Sequence, residues 1–255
     1  MRGIAHQGYH KTEKANSLKA FEAAAKEGWN YVETDIYRTS DGKYVVAHDP
    51  WMSEGYTNSA HVAGGDHNWK LEDHTLAEIL DYKDANGNSL ATLEQFCAVC
   101  KKNGLHPYIE VKQSLGPTKL KDAFDIITLS GLNYNYTIIS TTGWNLEAAI
   151  EYDDKIRIGF IYLNKFEDGA DWTELWTRIA AIRAKSTNRI NLFIDAALSN
   201  IKNSDSTHIM KLVQEKLPLE GWTAKTEEDI KNINSYISGI TSDNIHAGEI
   251  ISKQN

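Results

Sequence analysis

The chain has 255 residues, of which 41% are apolar and 24% are charged, and its formal net charge at pH 7 is −8. This composition supports a large hydrophobic core and excludes a disordered chain. The negative charge argues against sequence-independent nucleic-acid binding, so we expect no nucleic-acid partner. A small anionic substrate stays open, because one metal ion or one lysine reverses the field locally.

The first residues, Met1-Arg2-Gly3-Ile4-Ala5, enter a strand-like pattern and show no signal peptide. No segment approaches the roughly 18 apolar residues of a membrane span, so we expect no transmembrane segment. We expect a cytoplasmic protein if the chain is complete and an exported one if a leader was removed. Cys97 and Cys100 share one apolar helical stripe, which favours buried structural thiols over redox or metal roles. The sequence leaves the oligomeric state open.

Short apolar runs alternate with helical patterns along the chain, as in repeated βα units. The predicted strands are Gly3–His6, Tyr31–Tyr37, Pro107–Lys112, Tyr136–Ser140, Ile156–Tyr162, Ile190–Ala196, Glu220–Ala224 and Ser238–Ser242. The predicted helices are Ser17–Glu27, Thr92–Asn103, Lys119–Ser130, Asn145–Glu151, Asp171–Ala184, Ser206–Leu217 and Thr226–Tyr236. This alternation predicts an α/β fold, a (β/α)8 TIM barrel, formed by one domain of residues 1–255.

Two segments interrupt the alternation, and both follow the second strand. Tyr44–His48 is a further strand pattern, and the preceding Asp41-Gly42 is typical of a β-hairpin turn. Residues 50–90 then form a polar stretch that is too long for an ordinary loop. We therefore expect a hairpin and a small insertion at the catalytic face of the barrel, within the same domain.

The hairpin predicts a cluster of titratable side chains. If Asp41 and Gly42 are its two loop residues, Asp35 lies directly opposite His48, and opposed side chains have Cβ atoms about 5 Å apart on one face. Glu33, two residues before Asp35, shares that face. A one-residue bulge would instead move His48 to the other face. The alternative interpretation of these residues is a solvated polar surface of the hairpin.

Two other predicted strand ends carry matching groups. The first strand ends at His6-Gln7-Gly8, and the third carries Glu110 and Lys112 on one face. Catalytic groups of such barrels come from the carboxyl ends of several strands. Together with Glu33 and Asp35, Glu110 forms an all-oxygen site that suits one divalent cation, Mg²⁺ or Ca²⁺. The two histidines suit acid–base work near neutral pH, and Lys112 suits a phosphate oxygen.

Over nearly its whole length the sequence resembles the glycerophosphodiester phosphodiesterase family, part of a superfamily of phospholipase-C-like TIM barrels. Each motif is common, but the set in this order is specific. The segments that carry the resemblance are His6-Gln7-Gly8, Lys14-Ala15-Asn16-Ser17, Glu33-Thr34-Asp35, Asp41-Gly42, His48-Asp49-Pro50, Thr92-Leu93-Glu94, Glu110-Val111-Lys112, Gly221-Trp222-Thr223 and Ile240-Thr241-Ser242-Asp243.

The resemblance implies metal-dependent hydrolysis of a small-molecule glycerophosphodiester to an alcohol and glycerol phosphate. His6 and His48 are then the acid–base pair, and Glu33, Asp35 and Glu110 hold the divalent ion. One histidine deprotonates a neighbouring substrate hydroxyl that attacks phosphorus, and the other protonates the leaving oxygen. Water then opens the resulting cyclic phosphate. The sequence does not decide which histidine acts first as the base.

Three further substrate contacts are expected. Lys112 stabilises charge on the phosphoryl oxygens. Trp222, at the end of a strand, either walls the alcohol pocket or packs in the core. Gln7 stands where the family has arginine, and Ala15 where it has glutamate. We expect the Gln7 amide to hydrogen-bond the substrate, without the charged fork of an arginine.

Two rival functions are weighed against this interpretation. One is a phospholipase D-like enzyme that acts on lysophospholipid or sphingolipid head groups, which should expose an apolar rim to a membrane. The insertion in this chain is polar, with isolated aromatic residues, and disfavours that rival. The other is a phosphodiester-binding barrel without catalysis, which the loss of a catalytic histidine or a metal carboxylate would support. None of these residues is lost.

Overall fold

The structure is a computed structural model that describes residues 1–188, 190–230, 236–243 and 245. The strands are β1 (Arg2–Ala5), β2 (Tyr31–Arg38), β3 (Tyr44–Val46), β4 (His106–Val111), β5 (Thr137–Ser140), β6 (Arg157–Tyr162), β7 (Asn191–Ala197), β8 (Leu219–Ala224) and β9 (Ile237–Ser242). The α-helices are α1 (Leu18–Lys26), α2 (Leu76–Asp81), α3 (Leu93–Asn103), α4 (Gly116–Ile127), α5 (Gly143–Tyr152), α6 (Ala170–Arg183), α7 (Leu198–Lys202), α8 (Ser206–Gln214) and α9 (Glu227–Ile230).

The parallel strands close on themselves as a barrel. Around it the order is β1, β2, β4, β5, β6, β7, β8 and β9, and β1 pairs in parallel with both β2 and β9. Strand β3 lies outside this ring and pairs antiparallel with β2. The predicted (β/α)8 barrel with a hairpin on its second strand is confirmed. Because β7 is the fourth strand from β2 in either direction, these two strands face each other across the barrel.

The predicted strand patterns are confirmed with ends shifted by a few residues, as are the helical patterns up to Ser206–Leu217. Helix α3 begins at a capping box between Thr92 and Gln95 and ends at Gly104, whose φ of 67° is left-handed. The predicted helix Thr226–Tyr236 is observed as α9, and residues 231–235 lie outside the described part. Helices α2 and α7 were not predicted, since five or six residues are too few for a periodic pattern.

Between the barrel and its helices lies the main hydrophobic core, built from the outer faces of the strands and the inner faces of the helices. Cys97 and Cys100 are buried in it as free cysteines, and burial raises the pKa of the Cys97 thiol to about 12. This confirms their interpretation as structural thiols. None of the described helices is long and apolar enough to cross a membrane.

A smaller core lies inside the barrel and supports the floor of the catalytic face. Its buried apolar members are Ile4, Tyr108, Ile139, Ile161 and Phe193. A charged cluster accompanies it: Arg157 donates to Glu220 at 2.7 Å and to the Tyr108 hydroxyl at 2.7 Å, and Arg2 donates to Glu220 at 2.9 Å. These bonds tie β1, β4, β6 and β8 together across the barrel interior.

The insertion of residues 50–90 packs on the hairpin through its own hydrophobic cluster. Met52, Tyr56, Leu71 and Ile79 are buried there against Val45 of β3. Helix α2 begins with a full capping box between Thr75 and Glu78, which explains why this short helix forms. The insertion therefore fixes the outer side of the hairpin that leads to His48.

Candidate active site

Three carboxylates meet near the carboxyl ends of β2 and β4. Glu33 and Asp35 alternate along β2 and share its inner face, and Asp35 is in register with Glu110 on the parallel neighbour β4. One oxygen of each carboxylate lies within 4.8 Å of the others. Glu33 and Asp35 are buried, and Glu110 is partly buried. The structure thus brings together the three carboxylates that the sequence singled out.

The crowding of these acids carries an electrostatic cost. Burial, followed by the negative charges of Asp35 and Glu110, raises the pKa of Glu33 well above its ordinary value. Burial and the charge of Asp35 likewise raise the pKa of Glu110. Lys112 Nζ lies 3.2 Å from Asp35 Oδ1 and 3.1 Å from Glu110 Oε1. Burial alone lowers the pKa of Lys112, but the two carboxylates raise it overall, so its ammonium stays charged beside them.

Two loop amides orient the buried carboxylates. The backbone N–H of Gln7 donates to Glu33 Oε2 at 3.1 Å, and its side-chain Nε2 donates to Asp35 Oδ2 at 3.1 Å. Asn16 Nδ2 donates to the same Asp35 oxygen at 3.1 Å, and Asn16 Oδ1 accepts a bond from the Thr34 hydroxyl at 2.8 Å. Gln7 was expected to contact the substrate, yet its amide is bonded to Asp35 and it does not line the cavity described below.

His6 lies immediately after β1, with its two ring nitrogens in different surroundings. Nδ1 is 2.5 Å from Asp243 Oδ1, and Nε2 is 3.8 Å from Glu33 Oε2. Burial acts to raise the pKa of Asp243, but the His6 hydrogen bond and the nearby His10 and Lys225 lower it overall. Asp243 therefore stays an acceptor that holds the His6 ring with Nε2 toward the carboxylates.

His48 reaches the same cavity by a different route from the one predicted. The hairpin pairs Ile36 with Val46 and Tyr37 with Val45, one residue out of the predicted register, so His48 is not the partner of Asp35. The prediction of that pairing is wrong. The turn of the hairpin has three residues, 40–42, instead of the predicted two, and Gly42 takes the left-handed φ of 80°.

The β-ladder between β2 and β3 ends before His48, so His48 does not belong to the strand. Strand β3 stops at Val46, and the last hairpin bond runs from the Ala47 N–H to the Asp35 carbonyl at 3.1 Å. The His48 side chain is 55% exposed, its Nδ1 forms a 3.0 Å hydrogen bond to Oδ1 of Asp49, and it lines the cavity that contains His6. His6 and His48 thus approach the carboxylates from different chain segments.

These groups surround one cavity of about 470 Å³ at the carboxyl ends of the strands. Its described lining is His6, Glu33, Asp35, Tyr37, His48, Glu110, Lys112, Ile139, Thr141, Ile161, Leu163, Asp195, Trp222, Thr223 and Thr241. Trp222 lines the cavity and also packs against the apolar core inside the barrel. Its position is therefore compatible both with a wall of the alcohol pocket and with core packing. A second depression of about 310 Å³ adjoins the cavity and shares Thr141, Ile161 and Leu163 with it.

Sequence reasoning missed two acids of this site. Asp243 follows β9 directly, and its position at a strand end was the available signal. Asp195 lies inside β7, in an apolar run where a single acid is unusual, and no partner for it can be identified from the sequence. Among the described residues, the histidines of the insertion contribute to no further group that could hold a metal.

The donor set fits a hard divalent cation. Carboxylate oxygens are the ligands that Mg²⁺ and Ca²⁺ prefer. In the part of the chain that the structure describes, three carboxylates face a single ammonium, that of Lys112, so the site holds excess negative charge that a divalent ion would offset. The Asp35 Oδ2 atom is already held by Gln7 and Asn16, so this ligand is oriented in advance.

Comparisons with known proteins show to which family this chain is related. Residues 6–247 match the family model described as "Glycerophosphoryl diester phosphodiesterase family". The Mycobacterium tuberculosis protein named "Probable glycerophosphodiester phosphodiesterase 2" is 29% identical over 122 residues, which is 45% of this chain. That alignment spans only 40% of the relative's own length.

Solved structures share the fold over the full chain. A glycerophosphodiester phosphodiesterase from Parabacteroides distasonis superposes with a TM-score of 0.73 at 19% identity, over 100% of this chain and 98% of that one. An Oleispira antarctica phosphodiesterase, solved with its product sn-glycerol-3-phosphate, gives 0.72 at 17% identity over 100% and 96%. The family match spans nearly the whole sequence, and this chain therefore belongs to the glycerophosphoryl diester phosphodiesterase family of hydrolases.

Proposed function

We propose that this protein hydrolyses a glycerophosphodiester to an alcohol and glycerol phosphate, with one divalent cation, Mg²⁺ or Ca²⁺, as its cofactor. The observation that carries the proposal is the cavity itself. Its lining contains three converging carboxylates and two histidines that come from different chain segments. The family match and the product named in the Oleispira antarctica structure support the substrate class.

Glu33, Asp35 and Glu110 would hold the cation. When bound, the ion supplies positive charge that stabilises the developing charge on phosphoryl oxygens. Lys112 adds a second, permanent positive charge at the same side of the cavity, about a hydrogen-bond length from two of the carboxylates. The phosphate of the substrate therefore belongs on the β2–β4 side of the barrel.

His6 and His48 then carry the protons. One histidine accepts the proton of a neighbouring hydroxyl on the glycerol portion, whose oxygen attacks phosphorus. The other gives its proton to the leaving oxygen, which departs as the free alcohol and leaves a cyclic phosphate. In the second half a water molecule attacks phosphorus, the two histidines exchange roles, and the ring opens to glycerol phosphate.

Gln7 takes a positioning role in this scheme. Its backbone and side-chain N–H groups hold Glu33 and Asp35 in place. An arginine at this position would bring a charge beside the same carboxylates, which the neutral amide does not. Lys112 and the cation then stabilise the charge of the substrate phosphate. Residue 15 is alanine, so this chain also lacks an acid that would compensate an arginine at position 7.

The test is to identify products by ³¹P NMR after incubation with Mg²⁺ and a panel of glycerophosphodiesters and lysophospholipids. We expect glycerol phosphate from the diesters, and loss of about 10²–10⁴-fold in rate for His6→Ala and His48→Ala, the worth of a positioned acid or base. His67→Ala, at an exposed histidine of the insertion, is the matched control and should keep the wild-type rate. Cleavage of lysophospholipids alone, or an unchanged rate in His48→Ala, contradicts the proposal.

A further inference from the structure

A buried acid stands across the barrel from the carboxylate cluster. Asp195 lies on β7, which faces β2 across the ring, and its side chain lines the catalytic cavity. The residue is only 5% exposed. Within the described residues, its carboxyl group takes part in no hydrogen bond or ion pair. The nearest buried guanidinium, that of Arg157, is bonded to Tyr108 and Glu220 instead.

A buried carboxyl without a partner is costly unless a ligand supplies one. Burial, followed by the negative charges of Glu220 and Glu110, raises the pKa of Asp195 well above its ordinary value. The charge of Arg157 lowers this pKa, but its guanidinium is hydrogen-bonded to Tyr108 and Glu220, and burial and the acidic neighbours outweigh it. A group that brings both positive charge and N–H donors would meet this need.

The charged residues around the cavity indicate which part of the substrate would lie near Asp195. Its described basic residues, His6, His48 and Lys112, belong to β1, the hairpin and β4, on or beside the β2 side of the ring. The opposite wall offers Asp195 together with the hydroxyls of Thr223 and Thr241 on the next two strands. Neither hydroxyl is bonded within the described part of the chain. This wall offers one acid and two hydroxyls, whereas all three basic residues of the described lining stand on the other side, beside the three carboxylates.

We propose that Asp195 is a specificity-determining residue that binds a primary ammonium group on the alcohol portion of the substrate. The inference rests on the proposed function, since it assumes a phosphate held on the β2–β4 side. A primary ammonium carries three N–H donors, which the carboxyl and hydroxyl oxygens of this wall accept. A quaternary ammonium has the charge but no donor, and a neutral alcohol has a donor but no charge.

The test compares three glycerol phosphodiesters that differ in one group: those of 2-aminoethanol, of its N,N,N-trimethyl derivative and of ethylene glycol. We expect wild-type kcat/KM to be about 10- to 100-fold higher for the 2-aminoethanol diester than for either other diester, the worth of a charge-assisted hydrogen bond. In Asp195→Asn, an isosteric neutral variant, this preference should fall to within about threefold, with the ethylene glycol diester little affected.

Asp171→Asn is the matched control, because this exposed acid lines the adjoining depression but not the catalytic cavity and should leave the preference intact. Equal kcat/KM values for the three diesters in the wild type, or an equal loss for all three in Asp195→Asn, overturn the inference. The wild-type comparison decides the matter even if the variant does not fold.

A binding measurement separates this inference from the proposed function. Calorimetry in Mg²⁺ should show that 2-aminoethyl phosphate binds the wild type at least about tenfold more tightly than 2-hydroxyethyl phosphate, and Asp195→Asn equally to both. This preference without turnover of any diester would refute the hydrolase and retain the ammonium site. Turnover with no such preference would refute the ammonium site and retain the hydrolase.

Discussion

The Nδ1 atom of His6 lies 2.5 Å from Oδ1 of Asp243, so a side-chain hydrogen bond joins the residues that directly follow the first and last strands of the barrel. His10 supports the same pair: its Nδ1 lies 2.9 Å from the His6 carbonyl and its Nε2 lies 3.8 Å from Asp243 Oδ1. The orientation of a candidate catalytic histidine therefore depends on the closure of the barrel, which the parallel pairing of β1 with β9 brings about.

Replacing Asp243 with asparagine should lower kcat by about 10²-fold or more while KM changes little, because the His6 ring loses its fixed orientation. The variant should remain folded, since the amide retains the size of the carboxyl. Steady-state kinetics on one glycerophosphodiester check this, and circular dichroism checks the fold. Asp171→Asn, at an exposed acid, is the control. An unchanged kcat in Asp243→Asn would show that His6 needs no orienting acid.

Without a cation, the free energy of unfolding should fall as pH rises. The folded-state pKa values of Glu33 and Glu110 are raised above the ordinary 4.5. Between 4.5 and those raised values the folded state binds more protons than the unfolded state, so stability decreases with pH in that window. Urea unfolding in EDTA at pH 5 and pH 8 measures the difference.

Glu33→Gln should reduce the decrease in the free energy of unfolding between pH 5 and pH 8, because it removes one of the crowded charges. Its unfolding free energy in EDTA at pH 8 should exceed that of the wild type. Glu167→Gln, at an exposed glutamate, is the control and should keep the wild-type pH dependence. A Glu33→Gln protein that is less stable than the wild type at pH 8 would show that the carboxylates do not repel one another in the folded state.

The positions of Gln7 and Ala15 should be energetically coupled. Their loops are joined by a backbone bond from the Asn16 N–H to the Gln7 carbonyl at 2.9 Å. Gln7→Arg alone places a cation in place of the amide that holds Asp35 and should lower stability, and adding Ala15→Glu should restore part of it. A double-mutant cycle on unfolding free energy checks this. Additivity within about 0.5 kcal/mol would mean that the positions are independent.

The part of the site that lies at the ends of strands can be predicted from the sequence. Glu33, Asp35 and Glu110 are found together because side chains alternate along a strand and parallel neighbours end at the same face. The predicted pairing of Asp35 with His48 is wrong, because the turn holds three residues instead of two and a one-residue change of register reverses the face.

The long-range partners of the site are outside the reach of local patterns. The bond between His6 and Asp243 joins residues 237 positions apart, and only the closure of the barrel creates it. Asp195 faces the carboxylates because β7 is opposite β2, a consequence of the number of strands rather than of its neighbours in sequence. The fold class is therefore readable from periodicity, whereas these contacts require the closed ring.

A metal titration of activity tests whether hydrolysis needs a cation bound by the three carboxylates. Protein stripped with EDTA is titrated with Mg²⁺ and, separately, Ca²⁺, while the release of glycerol phosphate from one diester is followed. We predict no turnover after stripping, recovery that saturates at one ion per chain, and a higher ion requirement in Glu110→Gln. Glu167→Gln should titrate like the wild type. Full turnover in excess EDTA would contradict the central claim that Glu33, Asp35 and Glu110 hold a cation needed for hydrolysis.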